Sequence, residues 1–436
     1  MKVNLSALFK KISKSKLVKD SASYTTLNVI EKAIPFLILP IVTRVLTKEE
    51  VGIYILYQAI VEVLIPVMTL NIDATVLLNY YKEKGEKFKE YFSNAILFFV
   101  ALAILVSVGI WVFSEPISGL INFPSSWLIV ICIIVISRFF TQLRQHLWRV
   151  NYEIKNYAFF TIGISIAKNL VGLVLILYLS IAWEGLIIGH LVGYSLFAVI
   201  ALYTFKSDEL YKFKLNHKFL KDAFHVGYPL ALHKLGLWLG NAANRIIIAG
   251  ILGTAATGSY GIGATFAIIV TVVEDAFNKA FVPHLFDKLK NLQEGNKSEI
   301  VKLSYIVYFV LTLLAFAVFL LGYFGVGFIF GEEYLSTRQF MLPLILAAMV
   351  KGYYKLHVNY IMFTKKTLKI TQITLSTGVL NLILAYYMTV YFGIVGTAYS
   401  LLIINFLQYV LTFYVGNKLQ PMPWLGTFKG FLIYGK

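Results

Sequence analysis

Long apolar runs, broken by short polar or basic connections, fill this chain almost from end to end. The hydrocarbon core of a bilayer is about 30 Å thick and takes roughly 20 apolar residues as a helix. Runs of that kind fall at approximately 24–46, 51–79, 91–113, 125–147, 156–180 and 184–205. Six more fall at approximately 222–252, 257–281, 301–322, 338–363, 368–391 and 394–416. Strands of a membrane barrel would be about ten residues long and alternate in polarity. A stretch such as 94–112 is longer and apolar almost throughout. The pattern predicts an all-α polytopic membrane protein with about twelve transmembrane helices.

Composition agrees. Of 436 residues 58% are hydrophobic and only 14% charged, where an average soluble domain has about 25% charged. Mean hydropathy is +0.75. The single cysteine, Cys132, lies in an apolar run, which excludes an intrachain disulfide framework and a cysteine metal cluster.

The 39 Lys and Arg against 22 Asp and Glu give a net charge of +17. Their placement is a topology signal. Basic residues crowd the segment before the first span, the loop of Lys82, Lys84, Lys87 and Lys89, and the connections around Lys155, Lys212, Lys290 and Lys366. The intervening connections at 114–126, near Ser180 and at 253–259 carry none. Basic loops stay cytoplasmic, so both termini are expected in the cytoplasm. Because the surplus is spread over alternate loops, no nucleic-acid partner is expected. The long basic start and the absence of a small-residue cleavage site argue against a cleavable signal peptide. Leu5, Leu8, Phe9 and Ile12 at helical spacing suggest instead an amphipathic segment on the inner leaflet, or a frayed basic tail.

Domain organisation follows. We expect a basic cytoplasmic N-terminus (1–22), an N-lobe of spans 1–6 (23–206), a basic cytoplasmic linker (207–221), a C-lobe of spans 7–12 (222–416) and a cytoplasmic tail (417–436). An internal repeat supports two six-helix lobes. Val51-Gly52-Ile53-Tyr54 echoes Thr257-Gly258-Ser259-Tyr260, and Glu184-Gly185 echoes Val395-Gly396. No loop is long enough to hold a soluble catalytic core. There is no phosphate-binding glycine loop, nucleophile elbow or His-Glu-x-x-His, so an enzyme is not expected.

Charge at bilayer depth costs at least about 2.5 kcal/mol per residue and so should face protein or water. Inside the spans lie Lys32, Arg138, Lys168, Lys234, Arg245, Lys279, Lys351 and Lys355, with the acids Glu31, Glu62, Asp73, Glu274 and Asp275. Lys234, Asn241 and Arg245 share a stripe of the seventh span; Lys351 and Lys355 stack one turn apart on the tenth. Arg138, Gln142, Gln145 and Arg149 form a ladder on the fourth. Tyr24, Asn28, Glu31 and Pro35 share a face of the first, where Pro35 invites a kink. Such basic stripes suggest a place for an anion. The simpler readings are an Asp275–Lys279 ion pair one turn apart, and Lys355 and Arg149 snorkelling to headgroups. Glu31, Glu62 and Asp73 could carry a coupling H+ or Na+, or could pair with the deep bases. The histidines show no metal-ligand spacing, and no cofactor is expected.

Several stretches carry a family resemblance: Gly52-Ile53-Tyr54 with Asn79-Tyr80-Tyr81, then Gly227-Tyr228-Pro229-Leu230 continuing to Asn244-Arg245-Ile246, then Gly258-Ser259-Tyr260 leading to Ala276-Phe277 and Pro283. With twelve spans in two lobes, the chain resembles the oligosaccharidyl-lipid flippases of the polysaccharide-biosynthesis (Wzx-type) family, which share a fold with multidrug and toxin extruders. The likeness to the fourteen-span lipid II flippases is weaker. One position departs from the family pattern: Asn244 stands where an Asp usually precedes the arginine, which frees Arg245 for an anion or removes an ion-coupling group.

The resemblance implies translocation of an undecaprenyl-diphosphate-linked oligosaccharide, an O-antigen or other surface-polysaccharide unit, from the inner to the outer leaflet of a bacterial cytoplasmic membrane. A cationic central cavity used by alternating access would suit that cargo, and the deep polar residues expected to bind the headgroup are Lys234, Asn241, Arg245, Lys351, Lys355, Arg138 and Lys168. Membrane lipids, a polysaccharide polymerase and chain-length machinery are the implied partners. The rivals are an ion-coupled extruder of the same fold, which would want a lumen dominated by acids, and a non-transporting scaffold of a glycan assembly complex.

Overall fold

A computed structural model describes residues 16–290 and 294–427. The amphipathic segment expected around Leu5 to Ile12 lies outside the described residues, as do the side chains of Tyr24, Asn28 and Lys32. Among the described residues there are helices and connections but no strand. Eight helices among the described residues are long and apolar enough to cross a membrane, or nine when one bent pair counts as a single span.

The first expected span is α1 (Lys16–Val45), which runs on through Pro35 and Pro40. The second is broken. It consists of α2 (Lys48–Thr69) and α3 (Ile72–Lys82), separated by Leu70 and Asn71 with φ of +43° and +53°. Left-handed backbone at two successive non-glycine residues ends a helix, because each Cβ crowds the following carbonyl. Gly227 makes the break packable: a Cβ there would stand 2.2 Å from the Leu70 carbonyl oxygen.

Next come α4 (Glu86–Val112), the short α5 (Ser114–Ile121) in the connection without Lys or Arg, α6 (Ser125–Val150), α7 (Ile154–Leu179) and α8 (Trp183–Ser207). The seventh span is also bent, as α9 (His217–Leu239) and α10 (Ala243–Leu252) meet at 45°. Then follow α11 (Thr254–Lys290), α12 (Glu294–Phe330), a 3-10 turn (Glu332–Thr337), α13 (Arg338–Phe363) and α14 (Thr367–Leu419). At 53 residues, α14 would be about 80 Å long as one rod, far beyond one crossing. Gly393 (φ +59°, ψ −147°) divides it in two. With α1 and α13, long but more charged, the crossing segments come to about twelve.

Contacts divide the chain into two compact units. One comprises residues 1–46 and 60–231, the other 47–59 and 232–436. The lobes expected from sequence, 23–206 and 222–416, differ from these units in placing 47–59 with the first and 222–231 with the second.

In the first unit, α6, α7 and α8 pack together and α1 lies on α7. Gly185, Gly189 and Gly193 recur every fourth residue on α8 and let it press on α7. A Cβ on Gly189 would stand 2.4 Å from the Lys168 oxygen, and one on Gly193 would stand 2.7 Å from the Lys168 nitrogen.

In the second unit, the start of α2 packs on the start of α11 through Gly52 and Gly258. The second, weaker echo also has a structural counterpart. Gly185 meets Ile176 and Gly396 meets Met388, each fitting the beginning of a span against the end of the one before.

Candidate functional site

The glycine seam between α7 and α8 fixes what stands beside it. Lys168 on α7 directs its ammonium at Tyr194 on α8, donating to the phenol oxygen at 3.5 Å with Nζ 5.4 Å from the ring centroid. Arg138 on α6 places its guanidinium 5.9 Å from the same centroid. Two cations thus share one aromatic ring. Among the described residues, neither has a carboxylate within ion-pair distance of 4 Å. His190 lies one turn before Tyr194, edge-on to it at 6.1 Å. Glu31 on α1 is within electrostatic reach of Tyr194 and Tyr157 without forming a close ion pair to either cation.

Another base in this unit is spent. Arg144, 5% exposed, bonds Asp208 at 2.6 Å and stacks its guanidinium 4.4 Å over Trp148. Its Asp208 partner lies 64 residues on, beyond any local signal in the sequence. The contrast with Arg138, on the same helix, separates a locking arginine from an available one.

In the second unit the break in the seventh span exposes backbone that the helix would otherwise cover. Asn381 on α14 donates to the Leu239 carbonyl oxygen and to Asn244 Oδ1, both at 2.8 Å. Asn244 is fully buried. Its amide oxygen is therefore engaged by another amide, and no charge there meets its neighbour Arg245. Close approach of Gly378 to the Gly236 oxygen holds α14 against α9 at this level. Asn241 lies in the break and is exposed, Lys234 is exposed one helical stretch before it, and Arg245 is half-buried just after it. None of the three side chains has a hydrogen-bond or ion-pair partner among the described residues.

Lys355 has a different setting. Its ammonium is held between Glu274 and Asp275, both on α11. Glu274 is 2% exposed. The expected local pair of Asp275 with Lys279 thus gives way to a bridge between α11 and α13, and Lys279 is exposed. Lys355 does not snorkel. Lys351, one turn earlier, lies within electrostatic reach of Glu274. Below this pair, Asn359 donates to Asn278 at 2.8 Å, adding a second polar rung between the same helices.

The three candidate coupling acids occupy distinct settings. Glu31 is half-buried on α1, Glu62 is exposed on α2, and Asp73 is buried in the first turn of α3 with its carboxylate 3.4 Å from His146 Nδ1. The remaining histidines make ordinary contacts, His233 to Thr374 and His357 to Tyr308. Among the described residues no three His, Cys, Asp or Glu side chains converge on a metal position.

A family model described as polysaccharide biosynthesis protein matches residues 17–288, more than half of the chain. The chain belongs to this family. A Haemophilus influenzae protein of the Lsg locus is 20% identical over 361 residues, covering 82% of this chain and 87% of that one. Among solved structures, a lipid II flippase MurJ in an inward closed conformation superposes with a TM-score of 0.73 at 12% identity, covering 95% of this chain and 92% of that one. An inward-facing multidrug resistance MATE family transporter gives 0.60 at 15% identity, covering 91% and 96%. At such identities the likeness is one of fold. Polysaccharide biosynthesis membership bears out the resemblance read from the glycine and arginine motifs, and the fold is one shared with a solved lipid II flippase and a solved multidrug transporter. The weaker likeness in the sequence, that to lipid II flippases, thus has a counterpart in fold over 95% of the chain.

Proposed function

We propose that this multi-pass membrane protein carries an undecaprenyl-diphosphate-linked oligosaccharide from the cytoplasmic to the outer leaflet by alternating access. The observation that supports this best is the pair Arg138 and Lys168, both turned on Tyr194 with no carboxylate in ion-pair range among the described residues. An uncompensated pair of cations at bilayer depth is expensive. It is a sensible arrangement if an anion or water completes it.

A diphosphate cannot enter hydrocarbon unaided, since an isolated charge there costs tens of kcal/mol. Lysine and arginine can replace its hydration with charge-assisted hydrogen bonds, the guanidinium through two parallel donors. The polyprenyl tail needs no such help and stays in lipid. Arg138, Lys168, Lys234, Asn241, Arg245 and Lys351 are assigned to the headgroup. Lys355, whose charge Glu274 and Asp275 meet, is assigned to joining α11 and α13. With the cell interior negative, outward movement of an anion gains about 2.3 kcal/mol per charge per 100 mV. Coupling to H+ or Na+ would fall to Glu31, Glu62 or Asp73. Glycan polymerase and chain-length machinery would take over the product.

A cation extruder of the same fold would place carboxylates, not Arg138 and Lys168, about its aromatic ring. The test is export of the surface glycan in cells that depend on this protein. Replacing Lys234, Arg245 and Lys351 together by Ala, or Arg138 and Lys168 together, should abolish export with normal membrane insertion. Full export by both variants would refute the assignment.

A further inference from the structure

The ladder on α6 continues beyond the cation pair and is not explained by phosphate binding. At 3.6 residues per turn, Arg138, Gln142, Gln145 and Arg149 fall within an arc of about 60° and extend about 16 Å along the helix. Gln142 is half-buried with no hydrogen-bond partner among the described residues. Gln145 donates to Thr161 Oγ1 at 2.8 Å, and its carbonyl oxygen has no partner among the described residues. Arg149 is exposed in the last turn of the helix. The other polar face of α6 is spent on Asp208 and Trp148 through Arg144.

An anion takes cations and hydrogen-bond donors but has no use for an acceptor. Primary amides offer something else, a donor and an acceptor on one planar group, which suits hydroxyls that are themselves both. Unpaired amides at bilayer depth are costly, so this stripe calls for hydroxyl groups or water along its length. Sixteen ångströms accommodates a short oligosaccharide rather than one sugar.

We infer that Gln142, Gln145 and Arg149 form a glycan-binding wall, continuous with the Arg138–Lys168 pair, which takes the sugars while the diphosphate rests at Arg138. This deepens the headgroup reading above and rests on it. It fixes an orientation: the diphosphate lies toward the middle of α6 and the sugars run toward Val150.

The test uses the purified full-length protein in nanodiscs and two probes, undecaprenyl diphosphate without sugars and the same lipid carrying an oligosaccharide. The wild-type protein should bind the glycan-bearing lipid more tightly. The double variant Gln142→Leu/Gln145→Leu should lose about tenfold or more on that lipid and stay within about twofold on the bare one, whose binding also reports intact folding. Gln142→Asn/Gln145→Asn, which keeps the amides, should recover part of the loss. Arg138→Ala/Lys168→Ala should weaken both lipids alike. Equal affinity of the wild type for both lipids, or an equal loss on both in the leucine variant, overturns the glycan wall and leaves the headgroup reading standing. Binding of neither lipid by the wild type overturns that reading and the wall with it.

Discussion

Gly52 on α2 and Gly258 on α11, 206 positions apart, meet backbone to backbone: a Cβ on Gly258 would lie 3.1 Å from the Gly52 nitrogen and 3.4 Å from its Cα. The meeting is reciprocal. A Cβ on Gly52 would run into the Thr254 oxygen at 1.8 Å, and one on Gly258 into the Lys48 oxygen at 2.4 Å. Lys48 and Thr254 each lie four residues before their glycine, so the two copies of the repeat face each other about a local two-fold. A similarity first visible as four letters of sequence is thus a contact.

That contact sets a stability prediction. Gly52→Ala should force α2 and α11 apart and cost about 1–3 kcal/mol or more, as overpacking does. It should lower the melting temperature in detergent. Gly119→Ala on α5, where a Cβ meets nothing within 4 Å, should leave the melting temperature unchanged or slightly raised.

A second prediction separates two lysines. Lys355→Ala strands the carboxylates of Glu274 and Asp275, and removing one partner of a buried ion pair typically costs about 3–5 kcal/mol. Thermal unfolding should reveal a large loss for Lys355→Ala. A smaller loss is expected for Lys355→Met combined with Glu274→Gln and Asp275→Asn. Lys234→Ala, at an exposed position with no partner among the described residues, should leave stability within about 0.5 kcal/mol while impairing export.

Gly393 gives a purely backbone test. Nothing lies within 4 Å of a Cβ built there, but its φ of +59° with ψ of −147° is open essentially to glycine alone. Gly393→Ala should destabilise by about 1–3 kcal/mol with no steric contribution. An unchanged melting temperature would mean that the turn between the halves of α14 has another conformation.

Topology can be checked by labelling in intact cells, in a Cys132→Ala background. Cysteines at Lys84, Lys214 and Lys365 should be shielded from an impermeant thiol reagent, and cysteines at Ser180 and Gly331 should react. The reverse pattern would invert the orientation drawn from the basic loops.

Hydropathy located the spans well, because bilayer thickness acts on each segment separately. It gave no warning that the second and seventh runs are broken, although at 29 and 31 expected residues both exceed what one crossing needs. Asn71 and the Gly240-Asn241 pair were the local signals available. The candidate site was legible by residue type and helical phase, which picked out Arg138, Lys168, Lys234 and Arg245. Phase could not say which cations are compensated. Lys355 looked like Lys351 in sequence, and only packing of α13 on α11 brings it between Glu274 and Asp275. Tyr194, which gathers Arg138 and Lys168, was missed because a tyrosine in an apolar run carries no signal of its neighbours.

The central claim is that Arg138 and Lys168, with no carboxylate in ion-pair range among the described residues, help move a lipid-linked diphosphate across the bilayer. Its most direct test is a reconstituted assay in which a fluorescent lipid-linked oligosaccharide, placed in both leaflets of proteoliposomes, is reduced by an impermeant quencher. Wild-type vesicles should lose nearly all fluorescence as the inner-leaflet pool is brought out, whereas Arg138→Ala/Lys168→Ala vesicles should stop near half, like protein-free ones. Wild-type vesicles that also stop near half, or variant vesicles that match a fully active wild type, would contradict the account.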